Sequence, residues 1–213
     1  MSPDSPQFED ILKQVPADYY DSGTKNNLLQ KYWHNHKWAN LARLLENRKA
    51  RLLDVGCADG TTTSAIKRLF PKLNITGLDK YADAISYAKK TKPGITFIQG
   101  DAHKLPFKKG SFDFVVAIET LEHLHDPDGA LLEIHRVLAK NGYFVIVQDT
   151  DSLLFKTVWW FWTKWKGSVW NHSHINCLEP KELIKKVRKA NFKIISMEYT
   201  NLGMEVLIKA QKK

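Results

Sequence analysis

The sequence is poor in cysteine, carries no long apolar run and shows no internal repeat. Its two cysteines, Cys57 and Cys177, supply neither a zinc-ligand spacing nor a disulfide framework. A reducing, cytoplasmic setting is the plain expectation. No apolar stretch approaches the roughly 18–20 residues needed to cross a bilayer. The opening, MSPDSPQFED, is acidic and lacks an apolar stretch behind a basic start, so no secretory leader is expected. Low-complexity tracts are missing too, and a hydrophobic share of 43% suffices for a packed core. At 213 residues the chain makes one generous domain with room for an extension and an insertion.

What the chain does carry is positive charge and tryptophan. Its 32 basic and 23 acidic residues give a formal net charge of +9. That excess suits nucleic acid, an anionic membrane surface or an acidic substrate, and equally a solvated surface rich in lysine. Of seven tryptophans, five fall between Trp159 and Trp170.

The hydrophobic pattern changes once along the chain. Over residues 26–45, Leu28, Leu29, Tyr32, Trp33, Trp38, Leu41, Leu44 and Leu45 recur at helical spacings. From residue 51 short apolar runs alternate with amphipathic stretches. The pattern predicts strands at 51–55, 74–78, 95–99, 112–117 and 143–148, with helices at 62–70, 82–90 and 129–138. A helix at 180–190 and strands at 193–199 and 205–209 close the chain. Such alternation implies an α/β, Rossmann-like fold: a mostly parallel seven-stranded sheet with helices on both faces. Ligands of these sheets sit beyond the carboxyl ends of the strands.

Acidic residues follow three consecutive strands. Leu52-Leu53-Asp54-Val55-Gly56-Cys57-Ala58-Asp59-Gly60 runs from a strand through a glycine turn into a helix. Glycine allows the sharp turn and a close approach to a ligand. Asp54 is ill placed to grip a pyrophosphate but suits a cationic amino-acid group, and the spacing is not that of a dinucleotide fingerprint. Gly77-Leu78-Asp79 ends the second strand, where a carboxylate can accept from ribose hydroxyls. Gly100-Asp101-Ala102 follows the third, where Asp101 can meet an exocyclic amine. Each aspartate alone would read as a helix cap or turn residue; three in register argue for a site.

These segments, with FDFVVAIETLEHLHDP from Phe112 and LLEIHRVLAKNGYFVIV, resemble the class I S-adenosylmethionine-dependent methyltransferases. The resemblance implies that Asp54, Gly56, Cys57, Ala58 and Gly60 line the methionine and ribose end of the cofactor. It places Asp79 on the ribose, Lys80 beside the adenine with Asp101 and Ala102, and Ile118 and Glu119 under the ligand. It also implies a last strand inserted antiparallel. Ala58 stands where the family often has glycine, a change that is harmless if this residue keeps a negative φ.

On the acceptor side, Glu119-Thr120-Leu121-Glu122-His123 resembles the ExxEH segment of quinone-biosynthesis O-methyltransferases and of small-RNA 3′-end methyltransferases. Glu119, Glu122 and His123 could then hold a divalent ion such as Mg²⁺, which would suit a catechol-like acceptor. Alternatively His123 and Glu119 act in proton transfer, or Glu122 and His123 cap the following helix. His172 and His174 precede the 180–190 helix, and His174 is the candidate to face the acceptor.

The division expected is a helical extension over the cofactor site (1–48), a Rossmann-like domain (49–213) and, within it, a tryptophan-rich acceptor-side insertion (151–176). As a helix, the insertion presents Leu154, Phe155, Val158, Trp159, Phe161, Trp162 and Trp165 on one face, with Ser152, Lys156, Thr157, Thr163 and Lys164 opposite. Three readings fit: aromatics packed on the domain or a second subunit, contact with an anionic membrane, or base stacking on nucleic acid. The membrane-associating insertion that the resembled quinone O-methyltransferases carry at this point adds weight to the second. Trp162 and Tyr20 are candidate acceptor contacts. The function expected is methyl transfer to a small hydrophobic or lipid-linked acceptor, most simply on oxygen. RNA or protein methylation and a non-enzymatic cofactor-binding scaffold are the rivals.

Overall fold

The computed structural model describes residues 14–165 and 178–213. His172, His174 and Cys177, and the insertion beyond residue 165, lie outside them. Two helices, α1 (Tyr19–Asn26) and α2 (Leu28–Leu44), precede the sheet. Then follow β1 (Ala50–Val55), α3 (Thr61–Leu69), β2 (Leu73–Asp79), α4 (Ala82–Thr91), β3 (Thr96–Gln99) and β4 (Phe112–Ile118). The chain continues through α5 (Pro127–Val137), β5 (Leu138–Asp149), α6 (Leu153–Trp165), α7 (Pro180–Lys189), β6 (Phe192–Thr200) and β7 (Glu205–Lys212).

The seven strands form one sheet in the order β3-β2-β1-β4-β5-β7-β6. Four neighbouring pairs are parallel, and β7 runs antiparallel between β5 and β6. This is the expected Rossmann-like architecture, including the inverted last strand. The central strands are apolar on both faces because helices cover both: Leu52, Leu53, Phe114, Val115, Val116 and Ala117 are fully buried. One core layer joins the sheet to α5 and α7 through Leu131, Ile134, Leu183 and Val187, and the other packs Leu41, Leu44 and Ile66 beneath Phe114 and Val116.

Register fixes the site. Asp54 pairs with Gly77 on β2 and with Val116 on β4, so the ends of β1, β2 and β4 emerge at one edge. The order reverses between β1 and β4, which is where such sheets open a crevice.

The helix read over 26–45 is α2, which starts two residues later: the extended backbone of Asn27 ends α1, and its side chain accepts from the N–H groups of Leu29 (3.0 Å) and Gln30 (3.3 Å) and caps α2. One expectation about the extension needs correction: the inward face of α2 is only in part the apolar one read from the spacing. Leu28, Leu29 and Tyr32 are exposed, while His34, Lys37 and Asn40 are buried beside Leu41 and Leu44. Polar residues turn inward here because charged partners await them.

Candidate active site

The turn after β1 carries three residues of positive φ: Gly56 (77°), Ala58 (45°) and Gly60 (73°). Its shape is fixed from β2, as the N–H groups of Gly56 and Cys57 both donate to the Leu78 carbonyl (2.8 and 3.1 Å). The Ala58 N–H donates to the Asp79 carboxylate at 2.8 Å. Thr120, whose hydroxyl donates to the Val55 carbonyl at 3.0 Å, lies so close that a Cβ on Gly56 would sit 2.4 Å from its oxygen. Ala58 does not keep the negative φ on which its harmlessness was premised. It holds a left-handed conformation that costs an L-residue about 1–2 kcal/mol relative to glycine, because the turn is clamped to Asp79.

Asp54 is buried and accepts the Thr63 hydroxyl at 2.6 Å. Burial pushes its carboxyl up to about 7; the Thr63 bond opposes this and the nearby Asp79 charge adds to it. A cationic ligand group would supply the missing counter-charge. Asp79 is likewise raised by burial, against the pull of backbone N–H groups from Tyr81, Ala58 and Lys80.

Asp101 is held beside Asp79 by the Gly100 N–H, which donates to the Asp79 carbonyl at 2.9 Å. One of its oxygens is engaged within its own turn, accepting from the His103 N–H (2.8 Å) and meeting the His103 ring nitrogen (2.6 Å). Burial raises its carboxyl, but the His103 contacts together with the Lys80 charge outweigh it and hold it below the usual range. Ala102 is buried in the main core. Lys80 is exposed at the end of β2.

Tyr20, His34, Asp54, Gly56, Cys57, Ala58, Asp59, Thr62, Ile118 and Glu119 surround a cleft at this edge with about 400 Å³ of empty space, part of it open to solvent. Tyr20 and His34 come from the N-terminal helices, their rings edge to face at 5.6 Å. The extension is tied down by residues the sequence reading passed over. The Asp21 N–H donates to buried Asp59 at 2.8 Å, and the Asp21 carboxylate accepts from the Tyr87 hydroxyl (2.6 Å), Lys25 (2.8 Å) and Lys92 (2.8 Å). Burial would raise the Asp21 carboxyl, but these three donors hold it far below the ordinary value.

On the acceptor side, Glu119 leaves β4 with φ +49° and donates its N–H to the Val147 carbonyl at 2.8 Å. Its carboxylate forms an ion pair with Lys37 of α2. Glu205, at the start of β7, lies 3.4 Å from the same ammonium. Burial raises the Glu119 carboxyl, yet the Lys37 charge dominates and holds it at about 2. In that ion pair Glu119 is a weak proton acceptor. Glu122, with both oxygens buried and unpartnered, is pushed by burial up to about 8.

The expected metal set is not the one assembled. Among the described residues, the carboxylates whose oxygens converge within 4.8 Å are Glu119, Asp149 and Glu205. His123 ends a short 3₁₀ turn, Leu121–His123, outside that group. A divalent ion such as Mg²⁺ does not fit the arrangement, because the Lys37 ammonium already pairs with two of the three carboxylates. Nor do Glu122 and His123 cap α5: Asp126 does, accepting the Gly129 N–H at 2.9 Å.

Trp162 does not line the cofactor cleft. It closes a second hollow with Pro16, Asp18, Tyr19 and Gln30. Asp59, Asp149 and Glu205 were open to the strand-edge rule. Asp149 ends a parallel strand, and Glu205 starts an antiparallel one, which brings it to the same edge.

A methyltransferase-domain family matches residues 53–146, the stretch that carries Asp54, Asp79, Asp101 and Glu119. Over that stretch the chain is a methyltransferase domain similar to those of the class I S-adenosylmethionine-dependent enzymes. It is similar to the demethylmenaquinone methyltransferase of Thermotoga maritima, 26% identical over 79% of this chain and 82% of that protein. It is 40% identical to the fatty-acid O-methyltransferase of Mycolicibacterium smegmatis over 45% of this chain, a match spanning only 35% of that enzyme's length. Among solved structures, a methyltransferase of Thermotoga maritima superposes with a TM-score of 0.75 over 96% of this chain and 99% of that one. At 22% identity, that likeness shows the fold. The cofactor of this methyltransferase is S-adenosylmethionine.

Proposed function

We propose that this methyltransferase transfers the methyl group of S-adenosylmethionine to an oxygen of a small hydrophobic or lipid-linked acceptor, meeting it at an anionic membrane surface. The observation that carries this reading is α6. Phe155 and Thr163 are buried and Trp159 and Trp162 half-buried, which uses up the inward face. Leu153, Leu154, Val158, Trp160 and Phe161 remain exposed, with Lys156 and Lys164 among them. The expected division of α6 is therefore corrected: Thr163 turns in, donating to the Trp159 carbonyl at 2.9 Å, while Val158 and Phe161 turn out with Trp160. Packing on the domain leaves Trp160 and Phe161 uncovered. Exposed indole and lysine together suit a headgroup layer. No helix of the described residues is long and apolar enough to span a membrane, so contact would be peripheral. The names of the fatty-acid and demethylmenaquinone relatives support an apolar acceptor.

The chemistry asks for alignment more than for activation, since the sulfonium is already a good methyl donor. In this reading Asp54 and the Gly56–Gly60 turn hold the amino-acid end of the cofactor and Asp79 holds the ribose. Asp101, Ala102 and Lys80 border the adenine, while Ile118 and Glu119 form the floor beneath the sulfonium. A hydroxyl acceptor must lose a proton, and His123 is the base proposed for it; Tyr20, Trp162 and His174 are the acceptor contacts proposed. The methyl carbon forms its bond to the acceptor oxygen as its bond to sulfur breaks, leaving S-adenosylhomocysteine.

The test uses methyl-labelled S-adenosylmethionine, the purified protein and vesicles carrying extracted membrane lipids. Label entering the organic phase, with protein co-sedimenting on anionic but not neutral vesicles, is expected. Label found only in added tRNA or protein would overturn the reading in favour of its macromolecular rival, which the charge of +9 motivates.

A further inference from the structure

Lys37 is fully buried, a state a lysine tolerates only with close counter-charges. It hangs from α2, an element outside the sheet, and reaches a gathering of acids from three separate places. Glu119 follows β4, Asp149 ends β5 and Glu205 opens β7; one oxygen of each lies within 4.8 Å of the others. The ammonium pairs with Glu119 and stands 3.4 Å from Glu205. Glu122 lies close by in the 3₁₀ turn, and its charge acts on Asp149. Around Lys37 on its own helix, His34 is buried, and Trp33 is among the groups that lower the Glu119 carboxyl.

Three converging carboxylates are the donor set a hard divalent cation would take. Here a single ammonium stands among them, and Glu119, one of its partners, is also a wall of the cofactor cleft. We propose that Lys37 is a resident internal cation, standing where a divalent metal would otherwise sit, and that through its ion pair it positions Glu119 at the cofactor cleft.

Three consequences follow from the geometry. The carboxylates need no ion from solution, so cofactor binding is indifferent to metal. Glu119 stays ionised and aimed at the cleft that must receive a sulfonium, because its partner cannot escape to water. Deleting the ammonium leaves an acidic hollow open to a cation, so the altered protein should acquire a metal response that the natural one lacks. The surrounding acids support this arrangement: burial would lower the Lys37 ammonium, but Glu119, Glu205 and Asp149 outweigh it and keep the lysine protonated.

The proposal rests on the cleft being the cofactor's, and the experiment separates the two claims. Mn²⁺ binding is measured on the full-length protein and its Lys37→Ala and Lys37→Met variants. S-adenosylhomocysteine affinity is then titrated in EDTA and in excess Mg²⁺. For the natural protein we expect no stoichiometric Mn²⁺ and an affinity unchanged by EDTA or Mg²⁺. For Lys37→Ala we expect Mn²⁺ to bind, and S-adenosylhomocysteine affinity to fall by about tenfold or more in EDTA and to recover in part with Mg²⁺. A variant that was merely loosened would gain no metal affinity. Stoichiometric Mn²⁺ in the natural protein, or folded variants with full affinity and no metal response, would overturn the proposal. Should neither variant fold, the natural protein's own indifference to metal supports it and a metal requirement defeats it. Failure of every form to bind S-adenosylhomocysteine would count against the cleft, while the Mn²⁺ measurement would still decide the role of Lys37.

Discussion

The two sides of the sheet edge are built by different means. On the cofactor side, the ends of β1, β2 and β3 carry aspartates whose partners lie within about twenty residues of them, as Asp79 has the backbone N–H groups of Ala58 and Tyr81 and Asp54 the Thr63 hydroxyl. On the acceptor side, the ends of β4, β5 and β7 carry carboxylates whose partner is a lysine from another element, more than eighty residues away in sequence. The first construction is local and rigid. The second depends on the whole chain being in place, and it leaves buried carboxyl groups such as Glu122 without a hydrogen-bond partner. Backbone-held sites resist side-chain substitution nearby, whereas a buried charge cluster is sensitive to each member and to pH.

The comparison breaks most sharply at Gly56. Gly56→Val forces a branched side chain into a left-handed position and into Thr120, 2.4 Å from the first added carbon. Steric and conformational costs should together exceed about 3 kcal/mol. Thermal unfolding should show a large drop in Tm, and an unchanged Tm would mean that the turn is not clamped as described.

A smaller effect is expected at Asp79. Asp79→Ala strips the Ala58 and Tyr81 N–H groups of their acceptor and removes the carboxylate proposed for the ribose. S-adenosylhomocysteine affinity should fall roughly ten- to a hundredfold, the value of one or two hydrogen bonds to a charged group. Calorimetry on the folded variant gives the answer, and an affinity within twofold of the natural protein's would remove Asp79 from the site.

On the acceptor side the sign reverses, and substitution should stabilise. The Glu122 carboxyl is raised to about 8 in the folded protein, against an ordinary value of 4.5. Below pH 4.5 both folded and unfolded chains hold the proton and nothing is lost. Between that value and about pH 8 only the unfolded chain ionises freely, so stability declines as pH rises. Glu122→Gln should therefore raise Tm at pH 8 by several degrees, about 2 kcal/mol, and leave it nearly unchanged at pH 4.5. Equal shifts at both pH values would show that burial of the charge is not what the natural protein pays.

This contrast also governs how much could be read from the sequence. The mostly parallel seven-stranded sheet and the inverted β7 followed from apolar alternation and a family resemblance carried by contiguous motifs. The residues around the cofactor cleft were nameable because Asp54, Asp79 and Glu119 each end a strand, and register brings strand ends together. Lys37 was not readable. Its helix shows Leu28, Leu29 and Tyr32 at convincing spacings, and only the distant Glu119 and Glu205 explain why the opposite, polar face turns inward. The Asp21–Asp59 tie escaped notice for the same reason. The outward face of α6 was misassigned because an apolar helix packed on one side gives no periodic clue as to which aromatics are left over.

The place of β7 has a further consequence, for the order of events during synthesis. Lying between β5 and β6, it is made after both, so neither can take its final neighbour until residues through Lys212 exist. Until then β5 presents an open hydrogen-bonding edge, the kind of surface on which nascent chains misassociate. Glu205 arrives with that same strand and reaches Lys37 only when it docks. A ribosome-bound fragment ending before β7 would hold the cofactor turn complete and the acid cluster unfinished, so the closing of the sheet and the completion of the acceptor side are a single event.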